Sequence, residues 1–402
     1  MSMSQERSTI AGYDAMPQRK KRVVIVIEGG IFSGMPIKAL KIARALSRLG
    51  VPVLCVISEE HEGFGIYAEK YGVEIVRLKL HRFRYTMNPL VIARSLMFLI
   101  PDIFFLIRVL KRFNATELHS IGPHLFIGPV AAKLAGLKVV WYQGGVLQSG
   151  NQHLAPILYN LVFGLADMVV PNSLAVRADV LKNRGRNAIE KVRIIPNFVD
   201  TAEFRPGIDV TETRLELSVQ EQTVVVTVIS AIYPLKGIDV FLRAARRVVD
   251  HIHNLSLRFL VVGPRMDLHL AYFDELQRLV EELRLTEFVT FTGPRTDIPK
   301  ILNATKILVI PSLSEGFPNV ALEAMACAVP VVAFAVGGIP EIVRHGETGL
   351  LCSSADHDAL AKAIEDLVLD PGLRQEIGTR GYEEVKAKYD ERVIAGEIAN
   401  LI

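Results

Sequence analysis

The chain has 402 residues, half of them hydrophobic and 22% charged, with a formal net charge of +3. That is too long for one ordinary core and too apolar for a disordered chain, so the expectation is a globular protein of two domains. Three widely spaced cysteines, Cys55, Cys327 and Cys352, form no C-x-x-C pair; they speak against a disulfide framework or a zinc ribbon and for reduced thiols in a cytoplasmic protein.

The charge is unevenly spread. Residues 1–200 hold 26 Lys+Arg against 14 Asp+Glu, and residues 201–402 hold 20 against 29. A basic half beside an acidic half fits two domains with different partners. No helix-turn-helix, zinc pattern or aromatic-rich basic strand accompanies the basic half, so nucleic acid is not an expected partner. An anionic lipid surface, a phosphorylated acceptor, or simple attraction between the two domains remain as readings.

Residues 1–22 lack an apolar stretch of the kind a signal peptide needs and read as a disordered tail. Val23 to Ile27 is the first apolar strand. A glycine-containing loop follows, and Ile37 to Leu49 has helical periodicity, with Lys and Arg expected on the outer face and Gly50 as its stop. Val51 to Ile57 completes an opening βαβ unit. The loop is neither G-x-G-x-x-G nor a P-loop, because Met35 follows Gly34 where a Lys would be needed.

Thr86 to Phe113 is long and apolar but broken by Arg94, Asp102 and Arg108, and none of its charge-free runs approaches the ~20 residues that span a bilayer. Two readings stay open: a core helix kinked near Pro101, or a helix in the membrane interface with Arg108, Lys111 and Arg112 at headgroup level. Thr116 to Ser120 and Lys138 to Tyr142 read as further strands. At their carboxyl ends His119, His124 and Gln143-Gly144-Gly145 are expected to gather, where ligands bind in parallel sheets. Met168 to Pro171 reads as another short strand and Leu174 to Arg184 as a helix, and Val192 to Ile195 leads into Pro196 to Asp200.

A second βα series begins at Thr223 to Ile229. It continues through Arg258 to Val262, Phe288 to Phe291, Lys306 to Ile310 and Val331 to Phe334, with helices such as Val240 to Val249 and Phe273 to Leu283 between. Asp356-His357-Asp358 looks like a metal-binding D-x-D, yet it opens a helix, and an N-cap Asp is the better reading. The stretch Pro311 to Val343 carries the most chemistry. A buried strand ends in Pro-Ser; a loop bearing Glu315 and Gly316 follows. Pro318 suits a first helical turn, Ala321 to Ala328 is helix-forming, and Glu323 lies eight residues after Glu315. Unpaired N–H groups at such a helix start, near Gly316, Phe317 and Asn319, attract phosphate, while carboxylates on either side accept from sugar hydroxyls. That combination points to a nucleotide-sugar.

Pro311, Ser312, Glu315, Gly316, Phe317, Glu323, Ala324, Met325, Ala326, Pro330, Gly337, Gly338, Pro340 and Glu341 resemble the E-x7-E region of retaining glycosyltransferases of family 4. The resemblance implies an α/β chain of the GT-B fold, two Rossmann-like doubly wound domains facing across a cleft. The expected units are an acceptor domain over 23–200, a nucleotide-sugar domain over 201–385, and a helix over 386–402 crossing back to the first domain. It also implies a hinge at Pro196 to Asp200, with Phe198 in place of the usual glycine. Gly34 would face the donor phosphates, Lys236 would contact the diphosphate, Glu315 would hold the transferred sugar and Glu323 the ribose. Two positions depart from the family pattern: Gln143 stands where a histidine is common beside the sugar, and Ala231 where an arginine is usual. No metal or cofactor is implied. The donor would be a UDP-, GDP- or ADP-sugar and the acceptor a glycan, a lipid-linked or a small molecule. A nucleotide-sugar 2-epimerase of the same fold and a non-catalytic nucleotide-sugar binder are the rival readings.

Overall fold

The computed structural model describes residues 21–27, 34–58, 68–69, 71–78, 89–122, 126–145, 154–182 and 184–401. Two six-stranded sheets, all parallel, organise them. The first contains β1 (Val23–Ile27), β2 (Val53–Ser58), β3 (Glu74–Leu78), β4 (Glu117–Ile121), β5 (Lys138–Gln143) and β6 (Met168–Pro171), in the order β3-β2-β1-β4-β5-β6. The second contains β7 (Val224–Ile229), β8 (Leu257–Val262), β9 (Val289–Gly293), β10 (Ile307–Ile310), β11 (Val331–Phe334) and β12 (Gly349–Cys352), in the order β12-β11-β10-β7-β8-β9. Read from each domain's own first strand, these are the same doubly wound topology. The inner strands are unbroken apolar runs, as burial on both faces requires. β1 pairs with β2 and β4, and β7 with β8 and β10. Strand order therefore reverses between β1 and β4, and again between β7 and β10, the places where a crevice opens at the carboxyl ends.

The helix Gly34–Arg48 covers one face of the first sheet, together with Phe198 and the C-terminal helix Glu391–Ala399. Pro89–Arg112, Ile127–Leu134 and Leu154–Leu165 cover the other face. In the second sheet, Ile238–His251, Leu270–Glu282 and His357–Leu369 pack on one side. Asn319–Ala326 and part of Pro371–Lys388 pack on the other. Two chain crossings lie side by side between the domains: the Val199 amide donates to the Tyr389 carbonyl, and the Glu391 amide to that of Val199. Glu391 then accepts from Arg44 and Arg48, tying the last helix to the first domain. Asp356 caps the helix His357–Leu369 by accepting from the Asp358 and Ala359 amides, a contact of about 1 kcal/mol.

Residues 192–195, leading into the hinge, are extended and bridge Val169 through Val192. Three local expectations are corrected. The edge strands β3 and β12 are absent from the sequence reading because short edge strands are only partly buried and lack a continuous apolar run. Pro318 is the N-cap of its helix, in an extended conformation, rather than its first residue. Lys38 and Lys41 lie on the buried side of the first helix, not its outer face, because the hinge and the last helix cover that side too.

Candidate active site at the domain cleft

The second domain supplies a charged pair at its switch point. After β7 the chain turns through a single 3-10 turn, Pro234–Lys236, and Gly237 continues with φ +60°. A Cβ on Gly237 would stand 2.0 Å from the Pro311 carbonyl oxygen, so only glycine lets this turn press against the end of β10. The Leu313 amide donates to the Leu235 carbonyl at 2.8 Å, joining the two loops. Lys236 is thereby aimed at Glu315, and its ammonium donates to Glu315 Oε1. Burial on its own would lower the lysine's pKa; the Glu315 carboxylate, then Tyr233, hold it above its ordinary value. The ammonium is therefore charged throughout the neutral range.

The loop around Glu315 is built by close backbone approach. Gly337, at φ +54°, packs onto the Glu315 carbonyl, where a Cβ would come within 1.7 Å. Phe317 is buried against Tyr389, and its carbonyl accepts from Asn197 Nδ2 at 2.7 Å. The helix Asn319–Ala326 then starts from Pro318, an N-cap residue that makes no side-chain cap hydrogen bond. Glu323 on this helix pairs with Lys41 of the first domain at 3.6 Å. Lys41 also donates to the Phe198 carbonyl of the hinge at 3.2 Å. One buried lysine thus touches both domains and the segment between them.

The first domain meets this loop mainly through backbone. A Cβ on Gly316 would lie 2.2 Å from the Gly144 carbonyl oxygen, so the loop after β5 closes directly on the Glu315 loop. A Cβ on Gly338 would lie 2.9 Å from the Ser173 Cβ. The Glu341 carboxylate crosses the cleft and accepts from the Leu174 and Ala175 amides at 2.7 and 3.0 Å, capping a first-domain helix.

The sequence-predicted residues separate into two sets. Lys236, Glu315, Gly316, Phe317, Asn319 and Glu323 come together along one wall. Gln143, the last residue of β5, is fully buried beside the Tyr159 hydroxyl, whose pKa burial pushes up to about 12. His119 does not reach the carboxyl ends as expected: it sits mid-strand in β4, fully buried between Glu117 and the Tyr142 hydroxyl. Strand alternation sends its ring into the layer under the first helix, and burial holds it below the usual imidazole range. Gly34 begins the first helix; His124 lies outside the described residues. Ala231 lies in the loop after β7, short of the cleft-lining Lys236.

Sequence reading missed Lys41, Asn197 and the partner of Glu341. Only Lys41 left a trace, since Lys38, Lys41, Ile42 and Ala45 share the spacing of one helix face.

Two parallel doubly wound sheets with a charged pair at one switch point, closed by a glycine loop from the other sheet, make a two-domain architecture of the GT-B type. Comparison with known proteins agrees. Residues 32–203 match the model described as Glycosyltransferase Family 4, and residues 209–384 match Glycosyl transferases group 1. The chain belongs to glycosyltransferase family 4. Among curated proteins it is similar to D-inositol 3-phosphate glycosyltransferases. That of Rhodococcus erythropolis is 38% identical over 192 residues, 47% of this chain and 43% of that protein. That of Mycobacterium marinum is 39% identical over 193 residues, 48% of this chain and 39% of that protein. Each match spans less than half of the relative. Among solved structures, Anabaena HepE in complex with UDP and glucose superposes with a TM-score of 0.82 at 22% identity, covering 95% of this chain and 99% of that one. Sucrose-phosphate synthase of Thermosynechococcus elongatus gives 0.78 at 20% identity, covering 95% and 98%. These structures bear on the fold.

Proposed function

We propose that the protein moves a sugar from a nucleoside diphosphate donor to an acceptor hydroxyl with retention at the anomeric carbon and without a metal ion. The observation that carries this reading is the Lys236–Glu315 pair at the β7/β10 switch point, roofed by Gly144. The bond from the anomeric carbon to the diphosphate breaks and the diphosphate leaves with the electron pair. The acceptor oxygen bonds to the same face of the sugar and its proton passes to the departing phosphate.

Charge grows on the diphosphate as that bond breaks, and donors already aimed at it lower the barrier most. Lys236 and the first amides of the Asn319–Ala326 helix take that role. A diphosphate arriving beside Lys236 competes with Glu315 for the ammonium, which frees the carboxylate for the hydroxyls of the transferred sugar. Glu323 holds the ribose. Gln143, buried under the loop, sets the path of Gly144 and Gly145 rather than exchanging protons, since an amide does not titrate. The acceptor belongs to the first domain: a glycan, a lipid-linked or a small molecule, used at the cytoplasmic side of a membrane where it is lipid-linked. The UDP complex of HepE supports a UDP-sugar donor, and the curated relatives support a small phosphorylated acceptor.

Incubation with UDP-, GDP- and ADP-sugars tests the reading. One donor should raise the melting temperature, and with an acceptor panel it should yield a glycoside of unchanged anomeric configuration by NMR, in the presence of EDTA. Sugar isomers without glycoside, or inversion, would overturn it.

A further inference from the structure

The helix Pro89–Arg112 has an apolar outside as well as an apolar inside. Its inner stripe, Asp102, Leu106 and Leu110, is buried at successive turns against the first sheet. On the opposite side Met97, Ile100, Phe104 and Phe105 are exposed by 63, 76, 52 and 53%. Met97, Ile100, Phe104, Arg108 and Lys111 follow one another at helical spacing, so this outer stripe runs from apolar to basic. The Arg108 guanidinium lies 4.4 Å from the Phe104 ring centroid, at the junction. The adjoining helices of the same layer add exposed Leu134, Ile157 and Leu161.

Scattered exposed apolar side chains need no explanation; a patch shared by neighbouring helices does. Charge selects its occupant. The C-terminal end of the stripe carries Arg108, Lys111 and Arg112, and the helix's one acid, Asp102, faces the core. A partner must therefore offer negative charge at one end of the stripe and an apolar layer at the other. No helix among the described residues is long and apolar enough to cross a membrane, so the fitting geometry is a helix lying at the interface.

Helix length sets the orientation. The C-terminal end is held at the amino ends of the strands, where Arg22 Nε donates to the Phe113 carbonyl at 2.6 Å. A 24-residue helix is about 36 Å long, whereas five-residue strands such as β1 and β4 reach about 17 Å. At about 1.5 Å per residue along the axis, Met97 and Ile100 stand roughly 18 Å or more from the anchored end and thus lie toward the cleft rim.

We infer that this face docks the protein on an anionic bilayer, with Met97, Ile100, Phe104 and Phe105 at the acyl boundary and Arg108, Lys111 and Arg112 on the headgroups. The cleft mouth then faces the lipid. Docking does not depend on the proposed reaction, but its orientation gives a lipid-borne acceptor direct entry if that reading holds.

Flotation of the full chain with vesicles of phosphatidylcholine and phosphatidylglycerol, against phosphatidylcholine alone, tests this. Binding is expected on the anionic vesicles at low salt, weakened at high salt. Arg108→Gln/Lys111→Gln/Arg112→Gln should lower the partition coefficient by roughly 100-fold, because each such residue contributes about fivefold at low ionic strength. Ile100→Ser/Phe104→Ser/Phe105→Ser should abolish the salt-resistant part. Met97→Trp should be quenched by acyl-brominated lipid and Lys111→Trp much less. All of these positions are exposed, and unchanged melting and unchanged donor-induced stabilisation would show that the fold and cleft are intact. Absence of binding to anionic vesicles, or binding indifferent to both triple variants, would overturn the inference. So would a dimer in gel filtration that the serine variant disperses, with no vesicle binding.

Discussion

The two sheets share a topology and differ in where they keep their charge. In the second domain the ionisable residues of the switch point, Lys236 and Glu315, stand in the loops beyond β7 and β10 and face the cleft. In the first domain the corresponding groups lie inside: His119 within β4, and Lys38 under the Tyr142 ring. One scaffold therefore presents a charged pair to the cleft in one copy and buries its polar groups in the other. Function follows from what the loops present, not from the strand order. The contrast extends to the helices. Ile238–His251 buries a single stripe and turns Arg243 and Arg247 to solvent, while Pro89–Arg112 shows apolar side chains on both sides.

The sharpest way to break this comparison is at Lys236. Lys236→Ala should lower turnover by about 10²-fold or more, with a smaller loss of donor affinity, because its charge is needed most as the diphosphate leaves. Steady-state kinetics beside calorimetric donor titration separates the two effects. A variant with near-full turnover would mean the helix amides suffice. Next comes Glu323. Glu323→Ala should weaken free nucleotide diphosphate by roughly 1–3 kcal/mol, as expected for a charged hydrogen-bond acceptor. Lys41→Met, in the other domain, should cause a loss of the same sign but smaller size, since it removes the partner that orients the carboxylate. Equal nucleotide affinity in both variants and the parent, by calorimetry, would separate the ribose from this pair.

A third test concerns the buried charge of the first domain. Burial pushes Lys38 down to about 7, and its ammonium has no hydrogen-bond partner among the described residues. The unfolded chain then binds more protons than the folded one between pH 7 and the ordinary lysine value, so stability from this group rises with pH across that window. Lys38→Met should raise stability by roughly 1–3 kcal/mol near pH 7 and by less near pH 10. Denaturant melts at the two pH values measure the difference; a destabilised variant would point to a hidden partner. The smallest effect is expected at Glu341. Glu341→Ala removes the cap on Leu174 and Ala175, a contact of about 1 kcal/mol, and should loosen domain closure. A larger radius of gyration by small-angle scattering, reversed by saturating nucleotide, is the expected outcome.

Much of this was legible in the residues. Apolar runs located the inner strands because burial on both faces allows no other composition. Glu315, Gly316 and Glu323 stood out because a carboxylate, a glycine and a second carboxylate frame one helix start. Lys236 was singled out by the resemblance, as the lysine that the family pattern places after the first strand of the second series. These are local signals, each carried by fewer than about ten neighbouring residues.

What the tertiary structure alone decided depends on which element covers a face. Periodicity groups Lys38, Lys41 and Ala45 on one side of a helix, yet only the crossing of the hinge and the last helix makes that side an interior. The same holds for His119 and Gln143, whose depth follows from the layers packed over β4 and β5. Glu341 finds its partner amides 166 and 167 residues away in the chain. And the helix Pro89–Arg112, equally a core helix or an interfacial one by composition, is buried along one stripe by the first sheet, while nothing among the described residues covers the other. Sequence spacing fixes which side chains share a surface; long-range packing determines what that surface meets.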